Sequence, residues 1–92
     1  MQITSVRIRL LNHADSSLKG IASITIDNEF AVHDIKIVKG DKGLFISMPA
    51  RKDSDGEWKD ICHPLSSEVR EYVKTTILEK YNSDIEEHVV EE

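Results

Sequence analysis

Cysteine, proline, glycine and aromatic residues are all scarce among the 92 residues of this chain, and each shortage excludes something. A single cysteine, Cys62, cannot close an internal disulfide, which fits a reducing compartment. Four scattered glycines provide no glycine-rich phosphate loop. Apolar runs extend over only a few residues, far short of the ~20 that span a bilayer as a helix. The opening Met1-Gln2-Ile3-Thr4 shows neither a basic nor an apolar leader region, so the expectation is a cytoplasmic protein without a membrane segment. A chain of this length buries only about 60 to 65% of its unfolded surface, enough for one thin core. Pairing with a second copy is then a natural way to cover a free sheet edge or face.

The formal charge of −5 is unevenly placed. Asp84, Glu86, Glu87, Glu91 and Glu92 follow one another without a lysine or arginine among them. Without those five, the remaining 12 acids balance the 12 lysines and arginines. The division expected is therefore a single domain over residues 1–82 and an acidic, disordered tail over 83–92. The tail reads as a solvated end, or as an autoinhibitory segment competing with phosphates for basic residues.

Alternation of apolar and polar residues predicts strands. Val6, Ile8 and Leu10 face one way and Ser5, Arg7 and Arg9 the other. After the turn formers from Asn12 to Ser17, a second strand runs from Leu18 to Ile26, apolar on more than one side at its centre. Asp27-Asn28-Glu29 makes a tight turn. The third segment starts in phase at Phe30 and Val32 but resumes on the opposite parity at Ile35 and Ile37, and a β-bulge at His33-Asp34 explains the slip. Gly40 to Gly43 turns the chain into a fourth strand, Leu44 to Met48, ended by Pro49. Ala50 to Gly56 reads as a loop or hairpin arm with Asp55-Gly56 as its turn, and Glu57 to Ile61 returns as a fifth short strand. Ser66 or Ser67 then caps a helix with Val69, Tyr72, Val73, Thr76, Ile77 and Tyr81 along one side, closing at Asn82. The fold expected is α+β, an antiparallel four- to five-stranded meander followed by one C-terminal amphipathic helix.

His33-Asp34, Asp60 and Cys62-His63 are the cluster that invites a catalytic or metal reading. Adjacent Cys62 and His63 lack the paired spacing of a zinc site and would point to opposite faces of a strand. A cysteine nucleophile would also need a histidine base and a pocket of several hundred Å³, for which one sheet and one helix leave little volume. No enzyme activity, cofactor, metal or small-molecule substrate is expected. Basic residues fall into three groups: Arg7 with Arg9, Arg51 with Lys52 and Lys59, and Arg70 with Lys74 four residues on. These read as a solvated surface or as a nucleic-acid contact. Trp58 reads as packing or as a stacking platform.

Taken in order, Gly20-Ile21-Ala22-Ser23-Ile24-Thr25-Ile26-Asp27, Glu29-Phe30, Val32-His33-Asp34-Ile35, Gly40, Gly43-Leu44-Phe45, Met48-Pro49, Asp55-Gly56, Asp60-Ile61, His63-Pro64 and Arg70 resemble the SpoVG family, stage V sporulation protein G. The resemblance covers roughly residues 1–81. It implies a homodimeric bacterial regulator of septation and sporulation that binds DNA and also RNA. The family's basic pair before Asp-Gly falls on Arg51 and Lys52 and its helix arginine on Arg70. Lys74 joins them by helical geometry alone. Glu68, Glu71 and Glu79 make this helix less basic than a strong DNA binder requires. A competing reading is a protein-interaction module acting on septation machinery or a transcription regulator without nucleic acid.

Overall fold

The computed structural model describes residues 1–11 and 16–90 and contains the predicted meander. Strands β1 (Ile3–Leu10), β2 (Leu18–Ile26), β3 (Phe30–Gly40) and β4 (Gly43–Ser47) form one antiparallel sheet, each pairing with its neighbour in the chain. The turn formers Asn12 to Asp15 lie outside the described residues. Between β2 and β3, Asp27 and Asn28 adopt φ of 52° and 56°, and the Glu29 N–H donates to the Ile26 carbonyl at 2.9 Å. Asp and Asn are the non-glycine residues that tolerate this left-handed geometry best. The turn is also tied to the start of β1, where Asp27 Oδ1 accepts the Gln2 N–H at 3.0 Å and Thr4 Oγ1 that of Asn28 at 3.0 Å.

The bulge falls where the broken alternation predicts it. Ala22 pairs with Ile35 and Ile24 with Val32, so the single residue Ser23 faces both His33 and Asp34. Asp34 takes the strain at φ 63°. The extra residue returns Ile35 and Ile37 to the face that carries Val32, and both are fully buried.

That face forms the core. Ala22, Ile24, Ile35 and Ile37 from the sheet meet Val73, Ile77 and Tyr81 from helix α1 (Ser67–Val90), every one of them at most 7% exposed. Burying one such isoleucine contributes roughly 1.5–3 kcal/mol. Along α1 the inward residues Val69, Val73, Ile77, Tyr81 and Ile85 recur every fourth position. A strict spacing of four drifts by about 40° per step against 3.6 residues per turn, so the stripe winds around the helix. A winding stripe suits a helix laid across a twisted sheet. Ser66 settles the cap: its Oγ accepts the Val69 N–H at 3.2 Å, worth about 1 kcal/mol.

Two expectations are corrected. The helix does not close at Asn82 but continues to Val90, so the segment expected to be a disordered tail is helical up to that residue; Glu91 and Glu92 lie outside the described residues. Ile85 packs against the core and Lys80 Nζ holds Asp84 Oδ1 at 2.9 Å, which outweighs the modest helix propensity of asparagine. The return segment, second, does not join the meander. β5 (Ala50–Lys52) and β6 (Trp58–Asp60) form a separate two-stranded sheet, because the chain leaves β4 at Pro49, which has no N–H to continue a ladder.

Candidate nucleic-acid interface

The β5–β6 hairpin sets the geometry of the first basic pair. Arg51 lies opposite Lys59, and Lys52 opposite Trp58. Neighbours on a strand point to opposite faces, so each face of the arm carries cationic side chains. Arg51, Lys52, Trp58 and Lys59 are all exposed. Neither Arg51 nor Lys52 forms a salt bridge among the described residues, whereas Lys59 Nζ lies 3.2 Å from Asp53 Oδ2.

Asp53 fixes the tip of the arm. Its Oδ1 accepts the N–H of Asp55 at 2.9 Å and of Glu57 at 3.0 Å, while its own N–H donates to the Glu57 carbonyl at 2.8 Å. Gly56 closes the turn with φ 84°, a conformation that costs glycine nothing. The Glu57 amide and then the Lys59 ammonium hold the Asp53 carboxyl below its ordinary value of 3.8. A carboxylate lowered by folding stabilises the folded arm above pH 3.8, and that contribution is lost as the pH falls through the depressed folded value. The Glu57 amide resonance, followed by NMR through an acid titration, should hold its position from pH 7 down to the ordinary 3.8 and move toward its random-coil position only below it. In Asp53→Ala it should stand near that position already at pH 7.

The second basic pair stands on α1, with Arg70 exposed and Lys74 half-buried one turn later. Neither forms a salt bridge among the described residues. The helix packs on the four-stranded sheet, and among the described residues no hydrogen bond joins the two basic pairs. The four predicted residues thus stand as one pair on the hairpin and one on the helix. Trp58, for which packing and stacking were both open, is 69% exposed. Ile61, 64% exposed, and Leu65, 93% exposed, follow it in the chain.

The residues considered for catalysis or metal binding are dispersed. The His33 ring shares a 3.0 Å hydrogen bond between Nδ1 and Ser23 Oγ, on the sheet. His63 Nδ1 donates to the Pro64 carbonyl at 3.0 Å in the linker before α1, beside half-buried Cys62. Among the described residues, no three His, Cys, Asp or Glu side chains converge as a metal site, and no helix is long and apolar enough to cross a membrane. Sequence reasoning missed Asp53 as the organiser of the arm. Its signal is an aspartate two residues before Asp-Gly, the spacing of an Asx turn.

A sequence model of the SpoVG family matches residues 1–83. The chain belongs to the SpoVG family. A protein of Clostridium beijerinckii named "Putative septation protein SpoVG" is 56% identical over 91 residues, covering 99% of both chains. The protein of that name from Agathobacter rectalis is 55% identical over 86 residues, 94% of this chain and 98% of its own. The one from Lachnoclostridium phytofermentans is 51% identical over 92 residues, 100% of this chain and 98% of its own. The SpoVG match covers all of β1 to β6 and about two-thirds of α1, so both basic pairs lie within it.

Proposed function

We propose that this SpoVG-family protein is a dimeric, non-enzymatic regulator of septation and sporulation that acts by binding DNA, and RNA as well. The observation that carries the reading is the β5–β6 arm. It is tied at its tip by Asp53, and it presents Arg51 and Lys52 to solvent without a carboxylate partner among the described residues. Exposed cations held without internal partners suit phosphate contact, since no internal ion pair must be broken to reach the ligand. The names of the relatives support the septation role.

The dimer reading is supported by large apolar side chains exposed on the arm and just after it. Trp58, Ile61 and Leu65 are too exposed for a lone chain of this size to leave uncovered at no cost, and a second copy offers the matching surface. A two-fold axis would also present two copies of each basic pair to one nucleic acid, adding weak contacts into useful affinity.

Gel-shift titration against DNA and RNA at several salt concentrations, with mass by light scattering, tests both parts. The expected result is binding that weakens steeply with salt and a mass near twice 10.5 kDa. A monomeric mass at micromolar concentration, or no binding at low salt, overturns the corresponding part. The same exposed apolar residues also suit a protein partner, which gives the second reading its support. Capture of one stable partner, insensitive to nuclease, by a chain that binds no nucleic acid would favour that reading.

A further inference from the structure

Helix α1 covers only one face of the four-stranded sheet, and the face it leaves open has its own chemistry. Register places Arg9 opposite Ile21, Ile21 opposite Lys36 and Lys36 opposite Ser47 in one row across the sheet. In the next row Arg7 lies opposite Ser23, which faces the His33–Asp34 bulge. Arg7 and Arg9 are about 7 Å apart along β1, and Lys36 lies two strands, about 10 Å, from Arg9. Arg7, Arg9 and Lys36 are exposed and form no salt bridge among the described residues. The strands carry one acid, Asp34, which lines a shallow groove with Arg7, Arg9, Ser23 and His33.

An aromatic ring completes this face. Phe45, opposite Val38, is 44% exposed and lies against Gly40, where an added Cβ would approach the ring to 2.9 Å. The glycine thus gives the ring a backbone bed and holds it at one end of the basic rows. A second copy is a poor occupant, because two such faces brought together would set arginine against arginine. A polyanion is the complement of the charge. The surface is a sheet, with no element to enter a duplex groove, whereas unstacked bases can lie on Phe45 while the phosphates pass over the cations.

We propose that this open sheet face seats a single strand of nucleic acid, with Arg7, Arg9 and Lys36 on its phosphates and Phe45 under a base. The inference rests on the nucleic-acid reading above and adds a surface distinct from the hairpin and helix pairs. Fluorescence anisotropy with labelled oligo(dT) and a blunt duplex of equal length, between 50 and 200 mM salt, tests it. Arg7→Gln with Arg9→Gln should weaken oligo(dT) binding at least tenfold and lower its salt slope by about 1.4, roughly 0.7 for each lost contact, leaving duplex binding within twofold. Phe45→Leu should weaken oligo(dT) binding by about one to two orders of magnitude. Should the double variant melt early, Lys36→Gln at its exposed position supplies the same comparison, with a slope lowered by about 0.7. Unchanged oligo(dT) binding in these variants overturns the inference, as does conversion of a dimer to a monomer, which would assign the face to a protein contact. Wild-type protein that binds duplex but not oligo(dT) overturns the inference and leaves the proposed function standing. Binding to neither overturns both.

Discussion

Replacing Arg51 and Lys52 together by alanine should weaken duplex DNA binding by one to two orders of magnitude and reduce the salt slope by close to 2 for each subunit in contact with the duplex. Each phosphate contact releases about 0.9 of a counterion, and two are removed from every subunit that touches the duplex. The substitutions leave the arm intact, because its shape depends on Asp53, Gly56 and the β5–β6 ladder. Both side chains are exposed and without a salt bridge among the described residues, so melting temperature should move by no more than a degree or two. Unchanged affinity and slope at several salt concentrations would remove the arm from the interface. An unchanged slope with weaker binding would point to shape rather than charge.

Ile77→Ala should be the most damaging substitution in the fold. Ile77 has no exposed surface and sits midway along the stripe that joins α1 to the sheet. Removing a buried isoleucine to alanine costs about 2–5 kcal/mol, lost transfer energy plus the cavity left behind. Against a total of about 5–15 kcal/mol, that is a large part of what holds a domain of this size. A fall in melting temperature on the order of 15 °C is expected by circular dichroism, measured at fixed protein concentration because the proposed dimer would add to stability. Leu65→Ala is the contrast. At 93% exposure it should leave the fold of the chain unchanged, and if the proposed dimer forms, any loss of stability it causes should vanish on dilution. A loss below 1 kcal/mol for Ile77→Ala would show that α1 is not the principal cover of the core.

The fold was legible where burial is one-sided. Period-2 alternation identified β1 to β4, and the parity slip located the bulge to the residue, because a strand with one buried face cannot shift by one without exposing its isoleucines. The helix was legible for the same reason, through Val69, Val73, Ile77 and Tyr81. Its end was not, since Asn82 is a stop signal only if nothing beyond it packs, and Ile85 does. The separation of the hairpin from the sheet was equally hidden. Glu57 to Ile61 has no alternation strong enough to say which strand it joins, and a three-residue strand carries little pattern of its own. At the candidate site the residue types were readable from the chain, with the family likeness supplying Arg51, Lys52 and Arg70. Their grouping was not readable, because whether the arm and the helix share a surface is decided by packing between distant segments. Trp58 could not be settled for a related reason. An aromatic residue's burial depends on what the rest of the chain leaves available to cover it.

The hydrogen bond from the Ile3 amide to the Tyr72 hydroxyl, 2.9 Å long and spanning 69 positions, bears on how the protein is made. Neighbouring strands of the meander can pair as they leave the ribosome, each waiting only for the next turn. Their apolar side has no such early partner. It stays bare until nearly the whole polypeptide has been synthesised and α1 arrives to lie across it, so premature termination within the helix would release a finished sheet with an uncovered, self-adhesive surface.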